Sequence, residues 1–149
     1  MHRSRNYNED LFLAMKEKTA PKTTPDRSVE RNSRNHRRFA LLAAKEAERV
    51  LPIFENERPK DNRPRQAIEA ISAWAQGKRE LGMTEVRKLS LGSHAAAREA
   101  ESDAARFAAR AAGQAVATWH VPTHAMGAPM YACKAIIASM NTPSKKPRE

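Results

Sequence analysis

The segment WHVPTH holds two histidines, His120 and His124, that would lie one turn apart on a helix. Imidazoles at this spacing can hold a metal ion such as zinc, and a complete centre here would also recruit His94 and Cys133. No carboxylate accompanies the pair as in an HExxH motif, and Pro122 disturbs the turn between the two rings. We therefore expect these histidines to pack between helices or to contact a partner, and we expect no metal ion and no cofactor.

The single cysteine, Cys133, is the other residue that could do chemistry. A thiol becomes a catalytic nucleophile beside a positioned base, but no signature of such a pair flanks Cys133. The sequence also lacks the GxxxxGK[ST], GxGxxG, GxSxG, HExxH and CxxC motifs. We predict that the protein is not an enzyme and that Cys133 is a small buried hydrophobe. A metal-dependent helical enzyme that uses His94, His120 and His124 is the alternative.

The stretch DNRPRQAIEA carries two arginines, Arg63 and Arg65, on either side of Pro64. In one interpretation it is a capped helix start, with a surface pair between Arg65 and Glu69 that contributes about 0.3–0.5 kcal/mol. In the other, the arginines clamp carboxylates of a neighbouring helix or of a partner. Arginine at a helix N-terminus opposes the helix dipole, which favours a specific acceptor for at least one of them. The side chains that we predict to contact a partner are Asp61, Arg63, Arg65, Glu69, Trp74, His124 and Tyr131.

The net charge of +10 is concentrated in the tails of the 149-residue chain. Residues 1–38 contribute +5 and residues 139–149 contribute +2, whereas the hundred residues between them contribute +3. Basic tails could contact nucleic acid weakly, as in a ribonucleoprotein component, but the balanced body does not indicate a nucleic-acid reader. No apolar run is long enough to cross a membrane, and the N-terminus lacks the apolar stretch of a secretory signal. With a single cysteine, these features predict a cytoplasmic protein.

Apolar residues recur at steps of three and four through most of the chain, while the alternation of a β-strand is missing. We predict an all-α, compact bundle of about five helices with alanine-rich packing. The predicted helices are residues 36–55, 65–76, 84–102, 104–119 and 123–140. Residues 1–35 are predicted to be a flexible basic extension with one short helix in NEDLFLAMKEK, residues 36–140 the domain, and residues 141–149 a basic tail.

Several residues should begin, bend or end these helices. Pro52 predicts a kink or an early stop of the first helix, because it lacks a backbone donor. Asp61 or Asn62 is suited to cap the second helix, Gly77 to end it, and Thr84 to cap the third.

The last two helices share an apolar seam that runs through Pro122, where a break or a sharp kink is expected because proline restricts the residue before it. This seam is predicted to be buried. Its members are Val116, Trp119, Thr123, Met126, Met130, Cys133, Ile137 and Met140.

Three blocks of the body together resemble one protein family. They are AERVLPIFENERPKDNRPRQAIEAISAWAQGK (residues 47–78), SHAAAREA (93–100) and ARFAARAAGQAVATWHVPTHAMGAPMYACKA (105–135). In combination they resemble the small α-helical immunity proteins of bacterial polymorphic toxin systems, the immunity-protein-five-like group. The resemblance covers residues 39–138 and leaves out the basic tails. It implies a non-catalytic protein that binds a cognate toxin and occludes it stoichiometrically, and it supplies no catalytic residues.

Overall fold

The computed structural model describes residues 30–141, which form five α-helices and no strand. This confirms the predicted all-α bundle. The helices are α1 (Arg34–Glu57), α2 (Arg63–Ala75), α3 (Met83–Glu99), α4 (Asp103–Ala117) and α5 (Gly127–Asn141), with a short 3-10 helix, Pro122–Met126, before α5. The short helix predicted within residues 8–18 lies outside the described residues. Over residues 30–141, no helix is long and apolar enough to cross a membrane.

Helix α4 is the centre of the bundle, because α1, α2, α3 and α5 all pack against it. Its buried side chains are almost all methyl groups and cover most of its circumference, whereas its polar residues Asp103, Arg106, Arg110 and Gln114 are not buried. Small side chains also allow neighbouring helix axes to approach closely. The buried residues of α4 are Ala104, Ala105, Ala108, Ala109, Ala111, Ala112, Gly113, Ala115 and Val116.

Larger apolar side chains fill the layer between α1 and α2, where Val50, Phe54, Ile71 and Trp74 are fully or almost fully buried. These positions repeat at three- and four-residue steps on each helix, as the sequence pattern predicts. The core is therefore uneven, with bulky residues on this side and methyl groups around α4.

Serine side chains cap the first turns of α1 and α4, and a glutamate joins the end of α1 to the start of α4. Ser33 and Ser102 are the N-caps of these helices, and each hydroxyl accepts a hydrogen bond of 3.1 Å from a backbone N–H in the first turn. The carboxylate of Glu57, the last residue of α1, accepts from the backbone N–H groups of Glu101 (3.0 Å) and Ser102 (2.9 Å). Its negative charge thereby lies at the positive end of the α4 dipole.

Some predicted helix ends differ from the observed ones. The early stop at Pro52 is wrong: α1 continues to Glu57, and Pro52 lies on its exposed side, where water can satisfy the freed carbonyl. Thr84 is not the cap of α3, which has Gly82 as its N-cap. Gly77 does follow α2, with φ of 73°, a left-handed conformation that glycine adopts without strain.

The predicted break before α5 is confirmed, but the buried seam is wrong for five of its eight members, whereas Val116 is buried and Trp119 packs against the core. Helix α4 ends at Ala117, and Val121 is extended immediately before Pro122. The 3-10 helix then changes the rotation of α5. The inward side of α5 is formed by small residues that fit against the methyl surface of α4, namely Ala128, Ala132 and Ala135, and Ala125 of the 3-10 helix is also buried. The predicted seam residues that are exposed instead are Thr123, Met130, Cys133, Ile137 and Met140.

Helices α3 and α4 cross at Gly113. A Cβ at this position would lie 2.7 Å from Nε2 of His94 and 2.8 Å from its Cε1, closer than real Cβ atoms approach. The hydroxyl of Ser90 also donates to the Gly113 carbonyl at 3.2 Å. The crossing therefore requires the absence of a side chain, and the imidazole of His94 occupies that space.

We predict that Gly113→Ala lowers the free energy of unfolding by about 1–3 kcal/mol, because the His94 ring must move in a packed interior. Gly92→Ala in α3 is the matched control: the nearest atom to a new Cβ there is 3.9 Å away. That change should stabilise the protein by up to about 1 kcal/mol through helix propensity. Urea denaturation of both variants measures the difference. Equal effects of the two substitutions would show that the crossing is not tight.

Candidate functional site

Two arginines and two carboxylates, Arg58, Asp61, Arg63 and Glu99, form what we call the Asp61 cluster. Asp61 Oδ2 lies 2.6 Å from Nη2 of Arg63 and 3.4 Å from Nε of Arg58, and its side chain is only 9% exposed. Both arginines also reach Glu99 at the end of α3. The Arg63 hydrogen bond holds the pKa of Asp61 below its usual value. The cluster fastens the α1–α2 connection to α3.

Arg65 makes a second set of contacts on the opposite side of Pro64. Its Nε donates to Oε2 of Glu55 in α1 at 2.8 Å, and its Nη1 lies 3.8 Å from Oε1 of Glu69. The arginines therefore clamp neighbouring elements and Arg65 also pairs with Glu69, whereas the side chain of Asn62, the N-cap residue of α2, makes no capping hydrogen bond. A shallow groove of about 260 Å³ lies here between α1 and α2, lined by Glu48, Leu51, Arg65, Ile68, Glu69, Ser72, Ala73 and Gln76.

Trp74 lies inside the bundle and is 1% exposed, so the prediction that it contacts a partner does not fit the structure. Its ring meets the edge of His36 with 4.9 Å between the centroids, and the guanidinium of Arg37 lies 4.5 Å from its centroid. His36 was not foreseen as an anchor. Its Nε2 lies 2.6 Å from the carbonyl oxygen of Thr118 and donates to it, while its Nδ1 accepts from the Asn32 N–H at 2.9 Å. Burial lowers the pKa of His36 and favours this neutral tautomer.

The described residues include no metal-binding group formed by these histidines, although His124 lies close enough to His94 for its charge to lower the pKa of His94. His94 is half-buried, with its Nδ1 2.8 Å from Nη1 of Arg110, which donates to it. His124 is exposed and lies 3.0 Å from the side-chain oxygen of Gln114, and His120 is also exposed. Within residues 30–141, no three His, Cys, Asp or Glu side chains are grouped so that they could hold a metal ion. The structure thus gives no geometric support to a histidine metal centre.

Helix α5 presents an apolar surface to solvent, which we call the α5 stripe and define as Met130, Cys133, Ile136, Ile137 and Met140. All five side chains are exposed, and Met130, Ile137 and Met140 are 50%, 57% and 77% exposed. At 100° per residue they lie within roughly 120° of the helix circumference. A helix with both its inner and its outer face apolar is ordinarily covered on both sides, and such a patch marks an interaction site.

The only charged residue of α5, Lys134, is not a member of the stripe. Its Nζ lies 5.3 Å from the ring centroid of Tyr131 and 5.7 Å from that of Phe107 on α4. The two rings are themselves stacked, with 6.2 Å between their centroids. The cation–π contacts hold the ammonium beside α4, so the stripe itself carries no charge.

The predicted partner contacts therefore fall on separate surfaces. Asp61, Arg63, Arg65 and Glu69 lie around the start of α2 and already have partners within the chain. Tyr131 lies on α5, and His124 lies in the 3-10 helix before it. The sequence does not identify the stripe as an exposed surface, because a three-four repeat of apolar residues is equally typical of a buried helix face. Only the rotation of α5 after the break decides whether this repeat is buried or exposed.

We predict that Asp61→Asn lowers the free energy of unfolding by roughly 1–2 kcal/mol, because it removes the negative charge of a mostly buried acceptor and leaves the two arginines only the exposed carboxylate of Glu99. The control is Glu69→Gln, which alters a longer and more exposed pair and should change stability by less than about 0.5 kcal/mol. Thermal and urea unfolding of both variants test this. Indistinguishable variants would mean that the Asp61 cluster does not stabilise the fold.

A second prediction concerns acid sensitivity. Burial, with added repulsion from Arg110 and Arg98, lowers the pKa of His94 from 6.5 to about 4. Protonation of His94 therefore favours the unfolded chain. The stability that the folded protein gains from keeping this imidazole neutral is complete above pH 6.5 and is lost as the pH falls toward 4. His94→Gln cannot be protonated and should lack this part of the pH dependence. Urea unfolding of both chains from about pH 7.5 to 4.5 measures it, and parallel pH profiles would contradict the assignment.

Comparison with known proteins identifies the family. A family model described as Imm-5 like putative immunity protein matches residues 30–149, which include every residue that the structure describes. No curated protein and no solved structure matches the chain significantly. The resemblance seen in the three sequence blocks is thereby confirmed, and the chain belongs to the Imm-5-like immunity protein family.

Proposed function

We propose that this protein is a non-catalytic immunity protein that binds a cognate protein toxin and occludes its active site. The family gives the class of function, and the α5 stripe is the observation that supports a binding role. It is an exposed apolar surface on a helix whose other face is fixed against α4. Methionine and isoleucine on a rigid support can fill pockets of a partner without the cost of ordering a loop.

Polar groups at the edge of the stripe would provide specificity. Tyr131 and Lys134 lie on one side of it, and the exposed imidazole of His124 is near the start of α5. This arrangement, an apolar centre with a polar rim, is typical of protein interfaces. Arg65 and Glu69 at the α1–α2 groove are candidates for a second, peripheral contact with a large toxin.

A binder suits the remaining features better than an enzyme does. The described ionisable side chains with shifted pKa values have identified structural partners, as in the Asp61 cluster and the His94–Arg110 pair. We place the protein in the bacterial cytoplasm, where the exposed thiol of Cys133 would remain reduced.

The proposal is tested with the toxin domain encoded beside this gene. Co-expression should yield a complex with one immunity protein per toxin, and purified protein should abolish toxin activity at that ratio. Failure to bind any toxin encoded next to it would refute the proposal.

The location of the interface is tested by substitution. Ile137→Glu should weaken toxin binding at least about tenfold, equivalent to 1.4 kcal/mol, because it places a charge in the apolar centre. The matched control is Leu91→Glu on α3, at a residue that is 61% exposed but lies outside the stripe. Isothermal titration calorimetry of both variants measures the effect, and equal affinities would place the toxin elsewhere on the surface.

A further inference from the structure

We propose that a second copy of this chain covers the α5 stripe when no toxin is bound, forming a weak antiparallel dimer through α5. The stripe is an uncharged, apolar surface along the exposed side of α5. Its five members include four of the five large hydrophobic residues that are exposed within residues 30–141. The fifth, Leu91, lies on α3.

The distribution of charge favours a contact between the α5 helices of two copies. The chain carries a net charge of +10, so a contact between two copies is opposed least on a surface without basic side chains. Helix α5 has no acidic residue and a single lysine, and that lysine is held against the rings of Tyr131 and Phe107. A contact through the stripe therefore brings two uncharged apolar surfaces together and keeps the basic groups at the rim.

The spacing of four stripe residues is the same when the helix is read in either direction. Met130, Cys133, Ile137 and Met140 follow each other in steps of three, four and three. When two α5 helices run antiparallel about a two-fold axis level with residue 135, each Met130 lies opposite Met140 of the second copy. Each Cys133 likewise lies opposite Ile137 of the second copy, so every stripe residue in this series meets another.

The antiparallel arrangement also packs better than the parallel one. It sets the small Cys133 against the larger Ile137 at both central levels, so that the volume is evenly distributed. A parallel pair would set cysteine against cysteine at one level and isoleucine against isoleucine at the next, leaving a gap beside a crowded layer. Opposed helix dipoles favour the same choice.

The size of the surface predicts a weak dimer. A helix of 15 residues is about 22 Å long and about 10 Å wide. One face of such a helix therefore covers on the order of 200 Å². This area is less than the roughly 800 Å² that each partner contributes to a standard stable interface. Dissociation in the micromolar range would leave the stripe available to a toxin that binds more tightly. That exchange rests on the proposed function, whereas the dimer itself does not.

The test is sedimentation equilibrium of the full chain, without toxin, at concentrations from about 5 to 500 µM, which span a weak dissociation constant. The average mass should rise from the 16.7 kDa of one chain toward twice that value. Met130→Glu and Met140→Lys should each weaken the dimer at least about tenfold. Leu91→Glu, at the exposed hydrophobic residue outside the stripe, should leave it unchanged.

The double variant M130E/M140K tests the register. The two positions are ten residues, or about 15 Å, apart in one helix and cannot pair within it. Across an antiparallel interface each new carboxylate faces a new ammonium, so the dimer should return and become sensitive to salt, unlike the original one.

Three outcomes would overturn the proposal. A mass of one chain at every concentration would show that the stripe has no second copy on it. Single variants that dimerise normally would place the contact elsewhere, and a monomeric double variant would refute the antiparallel register. Because no toxin is present, these outcomes leave the proposed immunity function intact. Failure to bind a toxin would in turn leave the dimer unaffected.

Discussion

The close packing around α4 is the constraint on which the rest of the bundle depends. Its buried side chains are nearly all methyl groups, and at Gly113 even a methyl group would collide with His94. Where a neighbouring helix approaches α4 closely, its inward residues must be small or, like His94, must occupy space that α4 leaves open. Helix α5 meets this requirement with an inward row of alanines, which leaves its methionines and isoleucines on the outside. The exposed α5 stripe is thus a consequence of how the interior is packed.

Charged residues have a complementary role at the ends of the helices. The Asp61 cluster joins the α1–α2 connection to α3, and Glu57 joins the end of α1 to the start of α4. Arginines that look like free binding groups in the sequence are largely paired with carboxylates of their own chain. This shifts attention from the arginines of DNRPRQAIEA to the uncharged surface of α5 as the centre of recognition.

Helix number, approximate helix limits and the break at Pro122 were predictable, because apolar period, caps and proline act locally. The side of α5 that is buried was not, since a three-four repeat describes either face and the 3-10 helix sets the rotation. The anchoring by His36 was also hidden, because its acceptor, Thr118, lies 82 residues away. The Asp61 cluster was partly predictable, since DNRPRQ indicated an arginine clamp. The participation of Glu99 was not, because nothing in the sequence around Glu99 indicates a contact with these arginines.

The hydrogen bond from His36 to Thr118 has a consequence for the order of folding. It joins the first turn of α1 to the residue that follows α4, so it can form only after most of the chain has been brought together. Closing such a long loop costs conformational entropy, and this cost precedes the stabilisation that the hydrogen bond contributes. The middle of α1 can dock early through local contacts with α2, whereas its first turn should become ordered late. The beginning of the bundle is therefore the part that folding completes last.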